Sequence, residues 1–295
     1  MKCDLHVHSY FSGPCTTPIV GKLCRESYSP PEKIYAVLKR RGMDLFTLTD
    51  HDSIEGSEML RSHPNFFASE ELTCKMPSGS EVHIGVYDVS EGQHLQLLPR
   101  RNDLVALLMY LSEQRLFFSV NHVFSGLTGR RYLEDFEWFE RYFPTFETRN
   151  GHMLDRANQD AAQLAKQWGK IGVGGSDAHA LPSVGTAYTE VPGVRDKQEF
   201  FDGLRNGIGR VAGTSGCFTK LTRDVYVIAG EMMREKMWTS LLSPFALLIP
   251  GFTFWNYCDE WLFRRRWAPQ VLRQPQTKNR CHWISGPQNV AEESL

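Results

Sequence analysis

At 295 residues, with 41% apolar content and a formal net charge of −1, the chain is sized for one large α/β domain with an appendage. Its charge balance excludes a global field that would draw in nucleic acid or an acidic membrane, so any polyanion contact must come from a local basic patch or from metal ions. Seven cysteines, odd in number and without CxxC spacing, and an N-terminus lacking a basic-then-apolar leader predict a reduced, cytoplasmic protein.

Residues 1–9, Met-Lys-Cys-Asp-Leu-His-Val-His-Ser, read as a first strand. Strand side chains alternate, so His6 and His8 project to one side while Leu5 and Val7 face a core. Two imidazoles at a strand end are a rigid way to hold half of a metal's inner shell. The stretch 9–31, rich in Gly, Pro, Ser and Thr, predicts a long loop. Residues 31–41 read as a helix, opened by Pro-Pro-Glu, closed by Gly42, with Ile34, Val37 and Leu38 at helical spacing. Residues 45–49 form a short apolar run ending in Thr49-Asp50-His51-Asp52. Further strand-like runs follow at 66–73, 82–86, 117–121, 145–149 and 171–174, with helices near 103–114, 131–142 and 154–168. This alternation predicts a parallel sheet or a barrel, in which ligands sit at the carboxyl ends of the strands.

The metal-capable residues fall on that rule. His6 and His8 end the first strand, His51 follows the second, Glu70 lies in the third, His83 in the fourth, His122 closes the fifth, and Asp177 and His179 follow the last. His152, just past 145–149, is a candidate to line the same site. His63, His94 and His282 fall outside the pattern and read as surface residues.

Taken in order, Asp4-Leu5-His6-Val7-His8-Ser9, Thr49-Asp50-His51-Asp52, Glu70, His83, Asn121-His122 and Gly175-Ser176-Asp177-Ala178-His179 resemble the motifs of the polymerase and histidinol phosphatase (PHP) superfamily over residues 2–213. The resemblance implies a distorted (β/α)7 TIM-like barrel and two or three divalent metal ions, usually zinc, manganese or iron. It implies that His6, His8, Glu70 and Asp177 hold one ion, that Glu70 bridges to a second held by His83 and His122, and that His51 and His179 bind a third. One departure concerns that third ion: Gly13 stands where an acidic or histidine ligand is expected, leaving it weak, absent or completed by water, Asp50, Asp52 or Cys15.

Two such ions, about 3.5–4 Å apart, suit phosphoester hydrolysis by a metal-activated water. Asp177 or His179 is then a candidate general base, and Asp52 or His51 a candidate proton donor to the leaving alkoxide. Arg130 and Arg131, in the loop after His122, are candidates for phosphate contact. The expected activity is that of a phosphoesterase on a small phosphomonoester such as a nucleotide or sugar phosphate. A nuclease or phosphodiesterase and a metal-bearing regulatory module without turnover are the alternatives, and no strong nucleic-acid signal is present. A metal amidohydrolase shares the His-x-His start, but no candidate for a metal-bridging lysine is found.

Past Gly213 these motifs stop, which divides the chain into a barrel at 1–213, a helical, apolar appendage at 214–273 and a polar tail at 274–295 expected to be disordered. Residues 221–236 read as an amphipathic helix. The next 22 positions, 237–258, carry no charge, enough length to cross a bilayer. Against a crossing stand Pro244, Pro250 and several hydroxyl and amide side chains. Arg264-Arg265-Arg266, with Trp255, Tyr257, Trp261 and Trp267 near them, fit an interfacial anchor. Residues 237–267 are therefore read either as a membrane-surface contact or as a hairpin packing on the barrel or on another subunit.

Overall fold

The computed structural model describes residues 1–15 and 23–274. Its larger sheet has the order β2-β3-β4-β5-β6, formed by Ser69–Lys75, Glu81–Tyr87, Phe117–Val120, Thr145–Asn150 and Ile171–Gly175. A smaller sheet joins β1 (Lys2–Cys3), β7 (Ala187–Glu190) and β8 (Arg210–Gly213), all antiparallel. The expected alternation holds where β4, β5 and β6 run parallel, with α5 (Leu133–Tyr142) and α6 (Asp155–Gln167) as crossovers. It fails earlier, because β2 and β3 form an antiparallel hairpin and β3 pairs antiparallel with β4.

Two segments expected as strands are not part of either ladder. Residues 4–8 and 45–51 touch their neighbours through single bridges, Val7 to Ala178, Phe46 to Phe66 and His51 to Glu71, each parallel. The reason lies in their amides. His6 N–H donates to the Asp4 carboxylate at 3.2 Å, Val7 N–H to Thr49 Oγ1 at 2.9 Å and Ser9 N–H to Asp50 Oδ1 at 2.6 Å. Side chains thus satisfy donors that a neighbouring strand would otherwise take.

Helix α1 (Pro31–Arg40) starts as expected, with proline in its first turn and Glu32 there to oppose the positive helix end; Lys39 and Arg40 sit at the other end. Its Ile34, Val37 and Leu38 pack with Val7, Phe46 and Leu48. The largest core cluster fills one side of the five-stranded sheet with Ile84, Phe118 and Phe146 against Leu107, Phe139 and Leu164 from the helices.

The C-terminal segment joins this core. After α8 (Phe218–Glu235), a 3-10 run spans Met237–Leu248 and α9 spans Ile249–Leu272. The apolar stretch 237–258 is therefore two elements, and Pro250 lies in the first turn of α9, where its missing N–H costs nothing. At the far end of α9, Trp267, Ala268 and Val271 enter the main core. The tail beyond 274 lies outside the described residues.

Glu260 fastens α9 to the loop after His122. Its Oε1 accepts from Ser125 Oγ at 3.2 Å and from Gly126 N–H at 3.0 Å, and burial raises its pKa to about 7. A carboxyl raised in the folded state contributes stability that is present in full below its unfolded value. That contribution is lost progressively from about pH 4.3, the ordinary glutamate value, through the folded pKa. Thermal melting of the wild type against Glu260→Gln should show the wild type losing ground to the variant as pH rises to about 7, with a constant difference above it.

Candidate metal centre

Seven imidazoles line one space. Ring centroids lie 5.0 Å apart for His6 and His8, 4.3 Å for His8 and His179, 4.7 Å for His8 and His51, 4.9 Å for His51 and His83, 5.0 Å for His83 and His122, and 5.7 Å for His152 and His179. Among them stand two carboxylates. Asp177 Oδ1 is 3.4 Å from His6 Nε2 and 3.3 Å from His8 Nε2. Glu71 Oε2 is 3.1 Å from His6 Nε2, 3.3 Å from His8 Nε2 and 3.5 Å from His51 Nδ1, while its Oε1 lies 3.3 Å from His122 Nε2 and 3.5 Å from His83 Nδ1.

The acid that the sequence reading places here, Glu70, is not in this space. Its Oε2 pairs with His94 Nδ1 at 2.8 Å, so His94 too has a partner rather than a free surface position. Adjacent strand residues face opposite ways, and Glu70 shares a face with the core residues Leu72 and Cys74. Glu71 shares the other with Ser69 and Thr73. Apolar parity in β2 was thus a sequence signal for Glu71.

A second unforeseen acid is Glu26. Its carboxylate oxygens lie 3.4 Å from His51 Nε2 and 3.6 Å from His179 Nε2. It is the sole acidic residue between Ser9 and Pro30, which is the signal that could have found it. Gly13 takes part indirectly: its carbonyl accepts the Glu26 N–H at 3.1 Å from a backbone with φ +83°, the left-handed region that favours glycine.

The third is Glu147 on β5, whose Oε1 is 2.8 Å from His6 Nδ1 and whose Oε2 accepts the His122 N–H at 2.9 Å. It holds the His6 ring so that Nε2 points inward. Ser12 Oγ does the same at His8 Nδ1, 3.0 Å away, and the Asp177 carbonyl at His179 Nδ1, also 3.0 Å. His122 and Asp177 both have positive φ, 30° and 50°, a strained backbone for residues other than glycine.

Other expected site residues lie differently. Asp52 accepts from Thr73 N–H at 3.0 Å and pairs with Arg101. Asp50 braces the 9–12 turn through Ser9 and Ser12. Neither, nor Cys15, belongs to a candidate donor group among the described residues. Arg131 is buried, giving its Nη atoms to the Glu81 carbonyl and Thr128 Oγ1, with its guanidinium over Phe139. With Arg130 it lines a separate cleft of about 700 Å³ against α9, shared with Asp259, Phe263, Arg266 and Trp267. His152 is at the edge of the centre, its Nε2 held 3.1 Å from Asp224 Oδ2 on α8; burial lowers its pKa.

Burial by itself would raise the pKa of Glu71 and of Asp177 and lower that of His6 and His8. The facing charges win at all four: both carboxylates fall well below their usual range, His6 rises well above its own, and His8 reaches about 9. At His51 burial dominates and lowers the pKa to about 3, while the neighbouring imidazoles hold Glu26, against its burial, at about 2.

The residues fit divalent metal ions. Five donor groups have ligand atoms within 4.8 Å of one another: His6, His8 and Asp177; His6, Glu71 and His122; His51, Glu71 and His83; His8, His51 and His179; His152, Asp177 and His179. His8 Nε2, His51 Nδ1, His179 Nε2 and Glu26 Oε2 are buried without a hydrogen-bond partner, a costly arrangement that a cation would relieve.

An α/β chain with a buried histidine and carboxylate centre is the class this fold and site define. Residues 155–208 match the PHP-associated family, a segment that includes Asp177 and His179 of the last ordered motif. The uncharacterized protein MJ1587 of Methanocaldococcus jannaschii is 35% identical over 86 residues, 28% of this chain and 44% of that protein, so the match spans under half of the relative's length. Among solved structures, PsfC of Pseudomonas syringae has a TM-score of 0.53 at 20% identity, covering 79% of this chain and 98% of PsfC, a likeness of fold alone. A Bifidobacterium adolescentis protein, described as a candidate metal-dependent phosphoesterase, has a TM-score of 0.47 at 11% identity, covering 70% of this chain and 96% of its own.

The two neighbouring acids give a direct contrast. Glu71→Gln should lower the metal content of protein purified without chelator, and Glu70→Gln should leave it unchanged, as measured by elemental analysis. Equal loss in both variants would contradict the facing directions described above.

Proposed function

We propose that this chain is a metal-dependent hydrolase that cleaves phosphoesters, with a small phosphomonoester such as a nucleotide or sugar phosphate as substrate. The observation that carries the reading is the Glu71 carboxylate, whose two oxygens address separate sets of imidazoles. That is the placement expected of a bridge between two ions. In this reading His6, His8, Asp177 and Glu71 Oε2 hold one ion, Glu71 Oε1, His83 and His122 a second, and His51, His179 and Glu26 a third, with zinc, manganese or iron as the candidates. Bound there, such ions activate a water and neutralise charge on phosphoryl oxygens.

The chain's own groups do the rest. Asp177 would orient the attacking water and accept its proton at a carboxylate oxygen, while His179, its Nδ1 fixed by the Asp177 carbonyl, would hold the neighbouring ion through Nε2. His152, whose Nε2–H is held by Asp224, lines the edge of the centre as a substrate contact. Asp52, turned to Arg101, takes no part as a proton donor. The burial of His6, His8 and His122 favours a small substrate over a polymer. The same reading includes a distorted (β/α)7 barrel, supported by the bridges Val7 to Ala178 and His51 to Glu71, which join the ends of the five-stranded sheet through 4–8 and 45–51. A reduced, cytoplasmic setting for the catalytic body belongs to it as well.

The test is phosphate release from a generic aryl phosphate by protein loaded with manganese or zinc. Activity should vanish with chelator and fall more than about a hundredfold in His8→Ala, beyond the loss expected from removing an orienting partner. A salt-sensitive preference for oligonucleotides over mononucleotides would move the reading to a nuclease. Bound metal with no turnover on any phosphoester would make the chain a binding module.

A further inference from the structure

We propose that residues 237–258 form a monotopic membrane anchor, which enters one leaflet of a lipid bilayer from the same side on which the catalytic body sits. The argument starts from what surrounds the segment. No charged residue occurs in it, and only 11% of its most apolar window is buried. Leu247 is 84% exposed, Met237 82%, Leu241 81% and Trp255 76%, with Trp238, Phe245 and Phe252 also exposed.

The exposed side chains occupy most of the helix circumference. In the first turns of α9, Thr253 faces α8, where its hydroxyl lies 2.7 Å from that of Thr222. Phe252, Phe254 and Trp255 take the other directions, at about 100° per residue, and all three are exposed. Contact with a second copy would cover one stripe. A helix apolar on every free side needs an apolar medium around it.

Topology decides how deep the segment goes. On the entering side, Lys220 on α8 bonds to the Gly151 carbonyl and Asp224 to His152 and Ser183. On the returning side, Glu260 bonds to Ser125 and Gly126, Arg264 pairs with Asp160, and Trp267 lies in the core. Both flanks are fixed to one body, so the segment cannot cross a bilayer once. The helical part, residues 249–258, rises about 15 Å, half of a hydrocarbon core about 30 Å thick. At its foot are the exposed Arg265 and Arg266, with Arg130 and Arg131 across the cleft that Arg266 lines and Asp259 as the one acid among that cleft's described lining residues. That basic excess is complementary to anionic headgroups.

The experiment is flotation of the full chain with vesicles of phosphatidylcholine, alone or mixed with phosphatidylglycerol. The protein should float with both, and more strongly with the anionic mixture. Replacing Leu241, Leu247 and Trp255 together by Asp should weaken flotation by roughly a hundredfold or more and leave the melting midpoint in vesicle-free buffer unchanged, since all three side chains are exposed. Arg265→Gln with Arg266→Gln should remove only the gain given by phosphatidylglycerol. Tryptophan quenching should be greater from lipids brominated near the headgroup than from those brominated at the bilayer centre. Failure of the wild type to float, or undiminished flotation of the triple variant, would overturn the proposal. So would a quenching maximum at the bilayer centre, or a wild-type dimer that does not float and becomes monomeric in the triple variant.

Discussion

Two buried carboxylates, Glu71 and Asp177, set the terms for the rest of this molecule. A charge shielded from water is tolerable only where opposite charge or strong donors surround it, and here the surroundings are imidazoles drawn from distant parts of the chain. His6 and His8 come from the N-terminal segment, His83 and His122 from the central sheet, and His179 follows β6. The irregular path of residues 4–8, with amides bonded to Asp4, Thr49 and Asp50 side chains, follows from the need to bring both histidines to the same pair of acids. The strained backbone at His122 and Asp177 answers the same demand.

Much of this was legible because the histidine motifs are local. His-Val-His at a strand end specifies direction without knowledge of any partner, and the order of the later motifs specifies which strands must converge. The acids were harder. Glu70 and Glu71 are adjacent and identical, so only the facing of β2 separates them, and the apolar Leu72 and Cys74 carry that information. Glu26 lies in a segment without periodicity, where position depends on contacts such as the bond to the Gly13 carbonyl rather than on any repeating pattern. Arg131 reads as a candidate phosphate contact because the sequence around it gives no sign that Glu81, Thr128 and Phe139 enclose it. The antiparallel β2–β3 hairpin is written in the short connection between Lys75 and Glu81, which is too short for a crossover helix.

The boundary after Gly213 separates motifs more cleanly than it separates structure. Helix α8 lends Asp224 to His152, and α9 ends inside the main core. The loop that carries Glu26 is also tied to this region, since Arg25 pairs with Glu235 at 2.9 Å and the Leu23 carbonyl accepts from Lys236 at 3.0 Å. The C-terminal helices therefore brace one edge of the centre while presenting their apolar turn away from it.

Three of the five donor groups include Asp177 or His179, and in two of them the histidine partners begin at His8 or earlier. A ribosome delivers those partners long before the last donors leave the exit tunnel. While the chain is being made, the early histidines pass through a period in which most of the cage that would hold a cation does not exist. A donor group that depends on Asp177 or His179 is complete only once that part of the chain has been made, so an ion bound there would be chosen by a nearly complete, shaped cavity rather than by exposed imidazoles.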